Sequence, residues 1–178
     1  MRTVFVCFVA IFGIGLVSAQ NLARRSASND ASVPLRENEL HATIAKYESV
    51  LRQLLELPAL KTSPKPGTTA PVRREAIIAE MSRLFELCRP TFKYTPRFTN
   101  YKPDSIGLAK ASRQRQNLEK LIKWGAVAKT DPIVASKQET VSLALFADSF
   151  GLFLIRLADL THTPSSKWSP YLVPPDGE

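Results

Sequence analysis

Residues 142–162 read SLALFADSFGLFLIRLADLTH. Leu145, Phe146, Phe150, Phe153, Leu154 and Leu157 recur at the spacing of one helix face. Asp148, Arg156 and Asp159 interrupt that face, which argues against a membrane span and for the central helix of a small bundle. Thr140 or Ser142 stands where a side-chain oxygen caps a helix start. His162 stands at the other end, where a partial positive charge meets the helix dipole favourably.

Three more helical stretches lie upstream. Over 36–57, Leu40, Ile44, Tyr47, Leu51, Leu54 and Leu55 fall three or four apart, and Pro58 marks the end. Over 71–88, Ile77, Ile78, Met81, Leu84, Phe85 and Cys88 form a second stripe, with Pro71 suited to the first turn and Pro90 as the stop. Over 105–124, Leu108, Ala111, Leu118, Leu121 and Ile122 form a third, and Gly125 is a natural cap. Between them lie a Pro-rich linker at 58–71 and a connector at 126–138. The apolar pair Ile133-Val134 in that connector is expected to form a brief strand. The fold class is therefore mainly α: a bundle of about four helices spanning 36–162, with extended connectors. A Pro-rich tail follows at 163–178. No internal repeat stands out.

The chain has 178 residues and a net charge of +8. Its start has the order of a secretory signal peptide: Met1-Arg2-Thr3, then the apolar run 4–17, then Val17-Ser18-Ala19. Cleavage after Ala19 would remove 19 of 178 residues and leave 159, and losing Arg2 would take the charge from +8 to +7. Residues 20–35 are polar and weakly patterned and read as a mobile N-terminal segment. Cys7 leaves with the leader, so Cys88 has no partner for an internal disulfide and reads as a buried apolar residue. The expected location is export, to a periplasm, a cell surface or the medium.

Several chemistries lack their residues. There is no G-x-S-x-G elbow and no Gly-rich phosphate loop in the mature chain. His41 and His162 have no companions at metal-ligand spacing, so neither a metal nor a cofactor is implied. Glu75, Glu80 and Glu86 run along the second helix with Arg73, Arg74, Arg83 and Arg89, the pattern of a charge-paired, solvated face. No catalytic residue is selected.

One stretch points to binding. Residues 89–102, RPTFKYTPRFTNYK, interleave Arg89, Lys93, Arg97 and Lys102 with Phe92, Tyr94, Phe98 and Tyr101, and contain no acid. Cations attract phosphate or carboxylate, and aromatic rings offer stacking faces. The competing reading is that the rings alternate inward while the cations meet water. Trp124 and Trp168 are further candidate contacts. Export argues against nucleic acid and for an anionic envelope polymer, a lipid surface or another envelope protein.

Residues 117–127, NLEKLIKWGAV, followed by Asp131-Pro132 and by 141–147, VSLALFA, resemble the S-layer homology family of bacterial envelope proteins. Within that family's V-T-R-A-E-F-A helix start, Val141, Ala144, Phe146 and Ala147 match, and Ser142 replaces Thr. Phe98 to Asp104 corresponds poorly to the family's aromatic-aspartate opening, so the similar region is 98–162. Leu143 and Leu145 stand where the family has Arg and Glu. The resemblance associates that Arg with gripping an anionic cell-wall polymer, so this function does not transfer to Leu143. The family usually has three copies, and one is visible here. The expectation is an exported, non-enzymatic binding module of the cell envelope. The alternatives are a small secreted hydrolase using carboxylates, or a structural subunit that docks through Phe146, Phe150 and Phe153.

Overall fold

A computed structural model of the chain describes residues 33–58, 67–93, 108, 112–164 and 167. The architecture is mainly α. The helices are α1 (Glu37–Leu54), α2 (Arg74–Cys88), α3 (Arg113–Lys123), the short α4 (Pro132–Ala135) and α5 (Leu143–Thr161). A 3-10 turn, Arg89–Thr91, extends α2 past its expected stop at Pro90. Helix α2 packs on α3 and α5, and α4 packs on α5. The expected strand at Ile133-Val134 is instead α4, because Pro132 opens a helical turn and Asp131 accepts the Val134 and Ala135 amides through its carbonyl.

Three of the helices begin at one point. The segments entering α1, α2 and α5 read VPLRE (33–37), APVRR (70–74) and ETVSL (139–143). Leu35 N–H donates to the Val141 carbonyl at 2.9 Å, Val141 N–H to Val72 at 3.0 Å, and Val72 N–H to Leu35 at 2.9 Å. The three backbones thus close a ring, and all three side chains are buried beneath it. A second set surrounds the ring. The first helical amide of each helix (Glu37, Arg74 and Leu143) donates to the carbonyl of Ala70, Glu139 and Val33 respectively.

That second set satisfies amides that a helix start leaves without an intrahelical partner. It matters most where the cap residue is Arg36 or Arg73, neither of which has a side-chain acceptor. Only α5 has an oxygen cap among the three, Ser142, which accepts from Leu145 N–H at 3.2 Å. Pro34 and Pro71 occupy positions whose amide the ring does not use, and their fixed φ suits the extended entry. Helix α2 therefore starts at Arg74 and not at Pro71, since Val72 is committed to the ring. Likewise 33–35, expected at the end of a mobile segment, are tied into it.

The bundle core follows the periodicity. Leu40, Ile44, Leu51, Ile77, Ile78, Met81, Leu84, Phe85, Leu118, Leu121, Phe146, Phe153 and Leu157 are all buried. Phe146 stacks on Phe150 at 5.2 Å, and Phe150 meets Tyr47 of α1 edge-on at 5.4 Å. Buried charge sits beside this core in pairs. Glu48 accepts from Arg52 at 2.7 Å and from Arg83 at 2.6 Å, which ties α1 to α2. Asp131 is held by both terminal guanidinium nitrogens of Arg156 and accepts the Ala128 amide at 2.8 Å, which fixes the connector to α5.

Helices α1, α3 and α5 end alike, with a left-handed residue at Glu56 (φ 53°), Gly125 (φ 71°) and His162 (φ 51°). Each end carries the paired return bonds of a Schellman motif, such as Gly125 N–H to Ile122 and Ala126 N–H to Leu121. Gly125 was legible as the α3 cap, whereas Glu56 and His162 hold the same conformation despite a Cβ. A Cβ on Gly125 would meet nothing within 4 Å, so its cost is conformational alone. Gly125→Ala is expected to lower stability, and Glu56→Gly to raise it, each by about 1 kcal/mol. Denaturant midpoints that shift in the same direction for both variants would contradict this.

Burial pushes the Glu48 carboxyl up, but hydrogen bonds from Arg83 and Arg52 outweigh it and hold the pKa below the ordinary 4.5. A depressed folded value contributes stability above the unfolded pKa, lost as pH falls through the folded one. Stability is therefore expected to decline below about pH 4.5, toward the lower folded value. In Glu48→Gln, stability at neutral pH should fall by about 2–3 kcal/mol and the acid-side decline should flatten. A pH–stability curve parallel to that of the parent chain would count against the assignment.

Candidate functional site

The candidate site grows from the C-terminal end of α2. Phe85 is buried on its last turns. The 3-10 turn then folds the chain back, with Phe92 N–H donating to the Arg89 carbonyl at 3.2 Å. Phe92 thereby meets Phe85 edge-on at 5.2 Å. Trp124, at the end of α3 just before the left-handed Gly125, lies 5.8 Å from both rings. Lys93 N–H donates to the Leu160 carbonyl at 3.1 Å, which anchors the same strand of chain to α5.

Around this aromatic trio lies a basic rim. Arg89 and Lys93 are exposed on the 89–93 side. Arg89 reaches Glu86 at 3.1 Å, and Lys120 of α3 reaches the other oxygen of the same carboxylate. Lys123 is exposed next to Trp124. Two of these four cations, Arg89 from the turn and Lys120 from α3, thus meet on one acid, Glu86 of α2.

Four of the ten sequence-selected residues are brought together here: Arg89, Phe92, Lys93 and Trp124. Phe92 and Trp124 are half-buried and turn onto Phe85, while Arg89 and Lys93 turn to water. Residues 89–91 form a 3-10 turn and not an alternating extended stretch, so the inward Phe92 and outward Lys93 follow from that turn. Tyr94, Arg97, Phe98, Tyr101, Lys102 and Trp168 lie outside the described residues.

The charge-paired reading of α2 holds for Glu80 with Arg83 (2.8 Å) and Glu86 with Arg89. The solvated part of that reading fails for Arg74, which is buried and donates to the Ser136 carbonyl at 2.6 Å. Glu37 accepts from the Thr68 hydroxyl at 2.5 Å and from its amide, and these bonds hold its pKa below the usual carboxylate value. Burial pushes the Cys88 thiol up to about 12, so it is a neutral apolar filler and a poor nucleophile at neutral pH. His41 is half-buried on α1 and His162 is exposed beyond α5. Among the described residues no three His, Cys, Asp or Glu side chains are placed to hold a metal ion. None of the helices there is long and apolar enough to cross a membrane.

The basic contribution of α3 was not read from the sequence. The signal was present as charge spacing at Arg113, Lys120 and Lys123, but the apolar face of the helix is the stronger pattern and masks it. No family model, curated protein or solved structure matches the chain.

Removing the Phe92 ring would uncover one side of Trp124. Phe92→Ala, made in a Trp168→Phe background, is expected to red-shift tryptophan emission and cost about 2 kcal/mol. Unchanged emission and an unchanged melting temperature would show that the trio is not packed in solution.

Proposed function

We propose that the chain is an exported, non-enzymatic interaction module of the cell envelope that holds an anionic partner by charge. The observation that carries this reading is the gathering of Arg89, Lys93, Lys120 and Lys123 at one edge, over the Phe85, Phe92 and Trp124 cluster. The rings order the backbone that presents the cations, and the cations supply attraction for an acidic polymer or lipid surface. The leader-like residues 1–19 support export, and with it a partner outside the cytoplasm.

Membership of the S-layer homology family is part of the same proposal. What supports it is the single match at 141–147: Val141 precedes α5 and Ser142, in place of the family's Thr, caps it by accepting from Leu145 N–H at 3.2 Å. Leu143 and Leu145 stand where the family has Arg and Glu, so the binding role goes to the exposed cations instead.

The alternatives draw less support. Docking through Phe146, Phe150 and Phe153 needs those rings exposed, and all three are buried in the bundle. A carboxylate hydrolase needs an acid and a base facing each other, whereas Glu37 is bonded to Thr68 and Glu48 to Arg52 and Arg83.

The test is co-sedimentation with an anionic envelope polymer and with anionic lipid vesicles across a salt series. Binding should weaken steeply with salt. Changing Arg89, Lys93, Arg97 and Lys102 together to Ser should reduce it by at least about tenfold. Unaltered binding by that variant, or no binding by the parent chain, would remove the proposal.

A further inference from the structure

Helix α3 carries Arg113, Arg115, Lys120 and Lys123 against a single acid, Glu119. Its inner side buries Arg115, Leu118, Leu121 and Ile122. Arg115 Nε donates to Glu119 at 2.7 Å, so the helix's one carboxylate is already matched from within. At about 100° per residue, Arg113, Gln116, Lys120 and Lys123 then fall within one arc of roughly 80° on the opposite side. Arg113, Gln116 and Lys123 are exposed and Lys120 is half-exposed. The stripe is about 15 Å long.

The placement of Arg113 is unfavourable for the helix itself. It is the first helical residue, and the first turn contains no acid. Helix N-termini favour anions, so a cation there opposes the dipole. Lys120 and Lys123 sit in the last turn, where the dipole welcomes them, but Arg113 has no such account. The stripe also continues beyond the helix. Lys120 meets Glu86 on α2, and Arg89 meets the same carboxylate, so the cations of α3 run on to Arg89 and Lys93.

This arrangement matches an extended ligand and not a bilayer. Interfacial helices insert large apolar side chains. The exposed large hydrophobic residues among those described are Val33, Leu152 and Ile155, none of them on α3 or at the 89–93 edge. Positive charges about a helix turn or two apart, with a neutral Gln between, suit a chain that carries phosphates at intervals.

We infer that the outward face of α3, continued by Arg89 and Lys93, is a track for a linear phosphate-bearing polymer. The inference rests on the charge-binding function proposed above and names its partner. The polymer lies along the stripe, with Arg113 at one end and Arg89 and Lys93 at the other. Affinity comes from several phosphates met at once, so it grows with polymer length.

The experiment uses the full chain and fluorescently labelled long-chain inorganic polyphosphate, with orthophosphate and phosphatidylglycerol vesicles as comparison ligands. Long polyphosphate should bind in a salt-sensitive manner, and orthophosphate should fail to compete at equal phosphate concentration. Arg113→Gln, Lys120→Gln and Lys123→Gln together should weaken binding by at least about tenfold and reduce the salt slope by about 2, at roughly 0.7 for each phosphate no longer neutralised. Arg113→Glu provides the control for folding, because it should leave the melting temperature unchanged or raised while weakening binding.

Wild-type affinity in the triple variant overturns the track. So does equal competition by orthophosphate, or preferential binding to the vesicles. If binding is lost only in the variant of Arg89, Lys93, Arg97 and Lys102, charge binding stands and the α3 track falls. If the parent chain binds neither polyphosphate nor vesicles, both fall.

Discussion

The closed ring of backbone hydrogen bonds among Leu35, Val72 and Val141 is the constraint on which the bundle depends. It sets where α1, α2 and α5 begin and therefore which faces they turn inward. A single bond of this kind is worth only about 1 kcal/mol net. Breaking one is more costly, since a buried amide and a buried carbonyl both lose their partners. The ring also joins residues far apart in sequence, so each bond adds a long-range restraint that helix propensity alone does not supply. Three helix starts share six bonds, and two of those starts have arginine where a capping oxygen would normally stand.

Charge is organised by the same packing. The carboxylates drawn into the bundle, Glu48 and Asp131, are each met by arginine from another helix. These pairs fix the relative placement of α1 and α2, and of the connector and α5. The Arg115–Glu119 pair matches the one acid of α3, and Arg89, Lys93, Arg113 and Lys123 stay exposed on α3 and on the turn after α2, as Arg36, Lys46, Lys129 and Lys137 do elsewhere on the surface.

The helices were largely legible because their apolar residues recur at helical spacing. The identities of Leu40, Ile44 and Leu51, or of Ile77, Met81 and Phe85, determine which side is buried. Their boundaries were less legible. Pro71 serves equally well at a helix start or in an extended entry, and only the partner backbone decides between them. The ring itself left almost no trace in residue identity, since its bonds use main-chain groups that every residue has. Leu35, Val72 and Val141 share little beyond being apolar. Ile133-Val134 misled because two apolar residues do not distinguish a strand from one helical turn. At the candidate site, Phe92 is turned inward by the 3-10 turn at Arg89–Thr91, which the spacing of the basic and aromatic residues does not show. The convergence of Lys120 with Arg89 on Glu86 needed the packing of two helices.

The ring has a consequence for the order in which the chain becomes a protein. Synthesis delivers Leu35 first, Val72 next and Val141 last, with Leu143 supplying the final outer amide. Until that residue emerges, the first two entries hold one side of a pattern whose third member does not yet exist. Helices α1 and α2 can coil beforehand, but their starts remain open to water or to another chain. Commitment to the native arrangement therefore waits for the last fifth of the sequence, and a ribosome-bound chain presents open main-chain groups at the point where its helices will begin.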